Sequence, residues 1–431
     1  MSQDRYIAAL EISSSKIIGA VARVCTNNKL EIIAVEQEKA VDIVRYGIIR
    51  NLEACAVRIE RIIDRLEKRP NVAPRKINGV FVGISGRGMH SVVKEASIPL
   101  PANAEVTDDI IKRLSEQARK ANIESGLEVI DVVPRSYHVD DIETRDPKGM
   151  VGNRISATFD LIVCRPEMRS NIERTIEGKL HRHIDGIVVT PLATSHLVLS
   201  DEQRRLGCML VDMGAETTTV NIYRNGAMTY FATLPMGSRN ITRDLTSLSI
   251  IEEQAENIKI STGNAIPASA DKTTSLNLHG IRLTDILNTI AARSEEIMAN
   301  VYEQATYAGM ELGSLPAGIV ALGGGFRLNG MLELAAKSLP ASRANIPSVI
   351  DIQATNTPQA ELVEIAAILY AAATLTDISS LKMPEMPELP TTGTPNSNPE
   401  PEHDKPKKPG KLKKWFSTFF APGDEEDDDL Y

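Results

Sequence analysis

Aromatic side chains are scarce in this chain of 431 residues: Phe, Trp and Tyr together make up 4%, with a single Trp and seven Phe. A core built from it must be aliphatic. Cysteine is scarcer still. Cys25, Cys55, Cys164 and Cys208 lie far apart with no metal-ligand or redox spacing, which excludes a disulfide framework and reads as reduced thiols in a cytosolic protein. The sequence has no run of about 20 apolar residues, so no spanning helix is expected. The N-terminus, MSQDRYIAALEI, carries no signal peptide, so any membrane attachment is expected from the cytosolic side. Positive charge does not dominate either. The net charge of −9 argues against a nucleic-acid partner. Nor is there a Walker lysine motif, or a dinucleotide fingerprint after the first strand.

The missing aromatics are concentrated at one end. Residues 411–420 read KLKKWFSTFF, and hold the only Trp and three of the Phe. On a helix, Leu412, Trp415, Phe416, Phe419 and Phe420 recur at i, i+3, i+4, i+7 and i+8 as one apolar stripe. Lys411, Lys413 and Lys414 lie off the stripe. Rings at the acyl boundary with lysines toward anionic headgroups suit an in-plane membrane helix. Docking into a partner's groove or back onto the body are the competing readings. A leash favours the membrane: residues 382–410 contain eight prolines and cannot bury enough surface to fold. A flexible chain of that length spans roughly 30 Å. Six acids, Asp424–Asp429, follow and nearly cancel the six nearby lysines, so aromatic burial must dominate any attachment.

The first 70 residues read strand, strand, strand, helix. YIAALEI, KIIGAVARV and KLEIIAVEQ are β-rich, and residues 52–68 then carry Cys55, Ile59, Ile62, Ile63 and Leu66 on one helical face. The order recurs in GCMLVDM, TTTVNIYRN and AMTYFATL, with Asn225-Gly226 as a hairpin turn and helix from about 238. This is a duplication of layout, and two such halves can face each other across a cleft. Between them lies a small α+β insert that opens with the strand VFVGIS. Thr107-Asp108-Asp109 caps a helix there, predicted to run to Asn122.

Three strand-end loops carry the chemistry. The first is Glu11-Ile12-Ser13-Ser14-Ser15-Lys16, the second Asp212-Met213-Gly214-Ala215-Glu216-Thr217-Thr218, the third Gly323-Gly324-Gly325. Small-residue turns with hydroxyls suit phosphate oxygens. Glu11 and Asp212 suit Mg²⁺ held through water. The glycines would let a nucleotide approach closely. Any one loop alone reads as a plain β-turn; all three, in order within a duplicated layout, point to a nucleotide clamp.

These loops resemble the phosphate-1, phosphate-2 and adenosine motifs of the actin superfamily. AENIKISTG resembles the helix supplying Glu256 and Lys259 to the nucleoside side, and Thr190-Pro191-Leu192-Ala193 the loop that opens the helix between halves. VGISG, EVTDDIIKRLSEQA, VVPRSYHVDD, DPKGMVGNRI and MGSRNITRDL are similar to the FtsA family, bacterial actin-like division proteins. The resemblance implies an α/β fold: a duplicated ribonuclease-H-like actin fold with a nucleotide cleft. Residues 1–80 would form the first half, completed by 166–200 and 360–381, with 81–165 as the inserted subdomain. Residues 201–359 would form the second half with a helical subdomain at 250–312, followed by a linker at 382–410, an amphipathic helix at 411–421 and an acidic tail at 422–431.

It further implies ATP and Mg²⁺ as ligands, with Glu11, Ser13, Ser14, Ser15, Lys16, Asp212, Gly214, Thr217, Thr218, Gly237, Glu256, Lys259, Gly323, Gly324 and Gly325 on the nucleotide. Leu412, Lys413, Lys414, Trp415, Phe416, Phe419 and Phe420 would hold the membrane. The expected partners are the C-terminal peptide of the tubulin-like FtsZ, further copies of the chain in filaments, membrane lipids and other division proteins. The place would be the cytoplasmic side of the inner membrane at the septum. Turnover is expected to be at most slow, and no catalytic base stands out. Glu11 and Ser13 replace the family's usual Asp and Gly, and Glu216 its Gly. A carboxylate at 216 is expected to repel triphosphate. A small-molecule kinase and an actin-like scaffold of a pilus or secretion machine are the alternatives, and neither has use for a tethered amphipathic helix.

Overall fold

The computed structural model describes residues 5–25, 29–266, 277–278, 280–352, 357–376 and 378–383. The expected amphipathic helix, the acidic tail and the expected linker beyond Met383 lie outside them. The chain opens with an antiparallel meander, β1 (Arg5–Ile12), β2 (Lys16–Val24) and β3 (Leu30–Lys39). Helix α1 (Leu52–Glu67) follows. Its N-cap is Asn51, whose side chain accepts from the Ala54 N–H at 2.9 Å, and its predicted apolar face is buried. After β4 (Gly79–Ile84) come β5 (His90–Glu105), α2 (Asp108–Arg119), β6 (Glu128–Val139), β7 (Ile142–Thr144) and β8 (Val151–Cys164). Helix α2 stops short of Asn122, and Thr107 takes the N-cap position without a side-chain cap bond. β9 (His183–Val189) leads into α3 (Thr190–Val198).

The second meander is β10 (Cys208–Met213), β11 (Thr218–Arg224) and β12 (Ala227–Leu234). Then come α4 (Ser238–Thr246), α5 (Glu252–Thr262), α6 (Leu283–Tyr307), β13 (Ile319–Leu322), β14 (Ala341–Arg343), β15 (Ile350–Ile352) and α7 (Val363–Leu375). Asn225 and Gly226 both take positive φ, 51° and 74°, as the β11–β12 hairpin requires.

The strands form two main sheets, ordered β9-β4-β1-β2-β3-β15 and β7-β6-β8-β5-β12-β11-β10-β13-β14. In each, the first strand of the meander pairs on its far side with a parallel strand, β4 or β13, and that strand with another. The duplicated α/β fold read from the sequence is therefore present. Both central parallel strands, GVFVGI and IVAL, are buried along their length, as strands covered on two faces must be. α7 is apolar nearly all round because it packs into the first sheet beside α3.

One boundary differs from expectation. The strand Gly79–Ile84, which straddles the start of the 81–165 insert, belongs to the first sheet between β1 and β9. The rest of the insert leans on the other half. Edge strand β12 meets the start of β5 through Thr233 N–H to Met89 O at 2.9 Å and Phe231 N–H to Ser91 Oγ at 3.1 Å. Arg135 of the insert joins them, donating to Asp160 at 2.9 and 2.6 Å and to the Thr229 carbonyl at 2.7 Å. An exposed sheet edge offers unpaired backbone groups, and the insert covers it.

Candidate functional site

The three loops meet around a cavity of about 640 Å³ between the two sheets. The first turn closes on itself: Ser13 donates to the Lys16 carbonyl from its N–H at 3.0 Å and its hydroxyl at 2.9 Å. The second closes through Gly214 N–H to Thr217 O at 2.9 Å. The start of α4 braces it, with Ser238 N–H donating to Gly214 O at 3.0 Å and Arg239 N–H to Ala215 O at 2.7 Å. In the third, Gly323 has φ +89°, and a Cβ there would lie 2.4 Å from Asp212 Oδ1. A Cβ at Gly325 would lie 2.4 Å from the Met213 side chain. These two glycines let the third loop pack on the second, a need within the protein itself rather than the one expected from a ligand. Gly324 alone faces open space.

Glu11, Ser13, Ser14, Ser15, Lys16, Asp212, Gly214, Thr217, Glu256, Lys259, Gly323, Gly324 and Gly325 all line the cavity. Two of the expected residues do not. Thr218 begins β11, is fully buried, and its hydroxyl donates to the Met236 carbonyl at 2.9 Å. Gly237 packs under the second loop, where a Cβ would meet the Gly214 carbonyl at 2.6 Å. Lys16 is less free than expected. Its Nζ donates to Glu361 at 3.2 Å, and Arg327 binds the same carboxylate. Burial pushes the Glu361 carboxyl up, but Arg327 and Lys16 outweigh it and hold it below the usual range. Lys259 Nζ reaches Glu256 at 2.8 Å and Thr242 Oγ1 at 3.0 Å, and burial lowers its pKa against the pull of Glu256.

The cavity floor carries three acids. Burial, then the neighbouring Glu364, drives both Glu11 and Asp212 well above the carboxylate range. Both oxygens of Glu11 and Oδ1 of Asp212 are buried, and the group beside them is another carboxyl, Glu364, rather than an N–H or a cation. Glu364 is the residue that sequence reasoning missed. Its only signal was a lone acid in the apolar helix VEIAAILYAAATL.

Glu216 overturns an expectation. Its carboxylate is fully buried and already neutralised: Oε1 lies 2.8 Å from Arg243 Nη2, 3.1 Å from Arg45 Nε and 3.5 Å from Arg239 Nη1. Oε2 accepts from the Tyr46 N–H at 2.8 Å. A charge so enclosed exerts little repulsion on an anion in the cavity. Tyr46 and Glu216 also raise the Arg243 pKa against the effect of its burial.

The comparisons with known proteins agree with one another. Residues 209–374 match the family described as cell division protein FtsA, and residues 86–163 the SHS2 domain inserted in FtsA. The chain is 31% identical to the cell division protein FtsA of Porphyromonas gingivalis over 345 residues, covering 77% of this chain and 70% of that one. This chain belongs to the FtsA family. The Neisseria meningitidis FtsA is 29% identical over 349 residues, covering 78% of this chain and 82% of its own. Beyond FtsA proteins, the fold is similar to the PilM–PilN type IV pilus biogenesis complex, with a TM-score of 0.60 at 15% identity, covering 84% of this chain and 96% of that one. The FtsA-specific SHS2 match starts at residue 86, just past the strand Gly79–Ile84 that joins the first sheet.

An actin-like FtsA fold implies a nucleotide with its cation, and the floor fits one. Its donor set is all oxygen, and three buried carboxylate oxygens of Glu11 and Asp212 face a further carboxyl, Glu364. Among the described residues no group of three His, Cys, Asp or Glu converges tightly enough to chelate a metal. That donor set suits Mg²⁺, which keeps several waters and takes one or two carboxylates plus phosphate. Among the same residues no helix is long and apolar enough to cross a membrane.

Proposed function

We propose that this FtsA-family division protein binds ATP with Mg²⁺ in the cleft and uses the bound state to control self-assembly. We further propose that the assembled protein tethers the FtsZ ring to the cytoplasmic face of the inner membrane. The observation that carries the cleft reading is the floor: Glu11 and Asp212 present buried oxygens, crowded by a third acid, Glu364, to a cavity ringed by three loops. A cation there would neutralise both carboxylates and the phosphate oxygens together. The first and second loops would position the phosphates through Ser13–Ser15, Gly214 and Thr217, and Glu256 and Lys259 would border the nucleoside. Turnover would be at most slow, and both cleft lysines, Lys16 and Lys259, already have carboxylate partners. The test is equilibrium binding of a fluorescent ATP analogue with and without Mg²⁺. Chelation should weaken binding strongly; equal affinity in both conditions would overturn the reading. Turnover on the order of 10 s⁻¹ would point instead to a kinase.

Attachment is proposed through residues 411–421, with Leu412, Lys413, Lys414, Trp415, Phe416, Phe419 and Phe420 in the interface. Trp415 is the only tryptophan, so its emission reports that helix alone. Anionic vesicles should shift it to the blue, and Trp415→Glu should release the protein. A single short helix binds marginally, while filaments array many tails and gain avidity of about 10²–10⁴. ATP-dependent pelleting with liposomes, for the intact protein and for a chain ending at Leu381, checks the coupling. A simple hyperbolic isotherm indifferent to nucleotide would count against it. The C-terminal peptide of FtsZ and other division proteins are the proposed partners of the assembled body.

A further inference from the structure

Glu216 sits on the second loop, but two of its four partners come from the other half of the molecule. Arg45 and Tyr46 belong to the short hairpin 44–49 that follows the first meander. Arg239 and Arg243 lie on α4 of the second half. The hairpin is itself fixed to the cleft wall: Gly47 N–H donates to Ser14 Oγ at 3.1 Å, and Arg87 N–H to the Tyr46 carbonyl at 2.9 Å. Gly47 has φ +79°, and a Cβ there would lie 2.2 Å from the Ser85 carbonyl, so the hairpin has no slack in this direction. The guanidiniums of Arg45 and Arg87 also lie 5.9 and 5.4 Å from the Tyr46 ring centroid.

We infer that Glu216 is a clasp. It holds the first half against the second across the cleft rim, so that closure does not wait for a ligand. A buried carboxylate that accepts from Tyr46 and Arg243 and is ion-paired with Arg45 and Arg239 resists separation, because opening strips it of Arg45 and Tyr46 and leaves it facing two guanidiniums on its own half only. Glu216 is thus a positioning residue. It keeps the Ser14–Gly47 contact in register with the second loop without pointing at the phosphates. The functional consequence rests on the nucleotide reading of the cleft; the clasp itself does not, and its test is run without nucleotide.

Spin labels on Val57→Cys in α1 and Tyr307→Cys at the end of α6, both exposed sites, report the separation of the halves in the full chain. Cys25→Ser removes the one partly exposed native thiol, the other three being buried. The parent should give one narrow distance distribution in the absence of nucleotide. Glu216→Ala should lengthen and broaden it. Glu216→Gln, which can still accept from Tyr46 but has lost its charge, should fall between. Should Glu216→Ala not fold, Arg45→Gln removes the strut from the partly exposed first-half side and should broaden the distribution as well. A broad distribution in the nucleotide-free parent would overturn the clasp. So would distributions in Glu216→Ala or Arg45→Gln that match a narrow parent.

Discussion

The floor and the rim of the cleft solve opposite electrostatic problems a few residues apart in sequence. At the floor, Glu11, Asp212 and Glu364 crowd together, and burial and then Glu364 raise the first two well above their ordinary values, with Lys16 offsetting only part of the rise at Glu11. At the rim, one carboxylate, Glu216, has three guanidiniums and a backbone N–H. Buried charge is stable only when paired. The rim is therefore paired as it stands, while the floor leaves its acids to one another, the arrangement on which the proposed cation site rests. The difference separates the part of the site proposed to take a ligand from the part proposed to hold the halves together.

The largest effect should come from making the floor like the rim's neutral alternative. Asp212→Asn removes one charge from the proposed cation site and should cut Mg²⁺-dependent ATP binding by about 100-fold, on the order of 2.7 kcal/mol. The same change relieves repulsion in the empty cleft, so the ligand-free melting temperature should stay level or rise. Calorimetric titration and thermal melts on one preparation check both. Loss of binding together with a lowered melting point would mean that Asp212 is simply structural.

Glu216→Ala should do the reverse. Removing one partner of a buried ion cluster costs about 3–5 kcal/mol when the remainder is left unpaired. Here the remaining guanidiniums are partly exposed and Arg239 keeps Glu252 at 3.2 Å, which favours a loss of about 2 kcal/mol, read by denaturant unfolding. From the sequence alone this glutamate is expected to repel triphosphate. With its charge already paired, Glu216→Gly should instead loosen the cleft.

The two regions also part company with pH. Glu11 and Asp212 have folded pKa values raised above their ordinary 4.5 and 3.8. Their contribution to stability is therefore full below those ordinary values and is lost as pH rises through the raised ones. Ligand-free protein should lose stability as pH climbs from about 4 upward through this term, whereas Mg²⁺·ATP binding, which needs the charged carboxylates, should strengthen over the same window. Parallel melts with and without Mg²⁺·ATP from pH 5 to 8 test it. Two curves of the same slope would mean that neither carboxylate meets the cation.

Most of the fold was legible because its signals are local. Helix α1 announced itself through Cys55, Ile59, Ile62, Ile63 and Leu66, and the β11–β12 turn through Asn225-Gly226. The three loops were legible as strand ends with small residues. What escaped depends on contacts distant in sequence. Glu364 reaches the floor only because α7 packs into the first sheet beside α3. The partners of Glu216 lie at positions 45, 46, 239 and 243, and no spacing rule links them. Thr218 and Gly237 do not line the cavity for simpler reasons: one step along a strand turns Thr218 to the opposite face from Thr217, and Gly237 packs its backbone under the second loop.

The smallest effect separates the glycines of the third loop. Gly323 holds φ +89° and lies against Asp212, so Gly323→Ala adds both backbone strain and a 2.4 Å contact. Such positions cost about 1–2 kcal/mol for a residue with a Cβ. Gly325→Ala meets Met213, a flexible side chain that can yield, and should cost less. Gly324→Ala has open space before it and no positive φ, so the fold should change by less than about 0.5 kcal/mol in unfolding experiments. Its Cβ projects into open space in a cavity-lining loop, however. If a nucleotide occupies that space, Gly324→Ala should weaken ATP binding several-fold while leaving stability untouched, a combination that the other two glycines cannot produce. Unchanged affinity in Gly324→Ala would move the ligand away from the third loop and toward the first two, leaving the glycines to the packing of loop on loop alone.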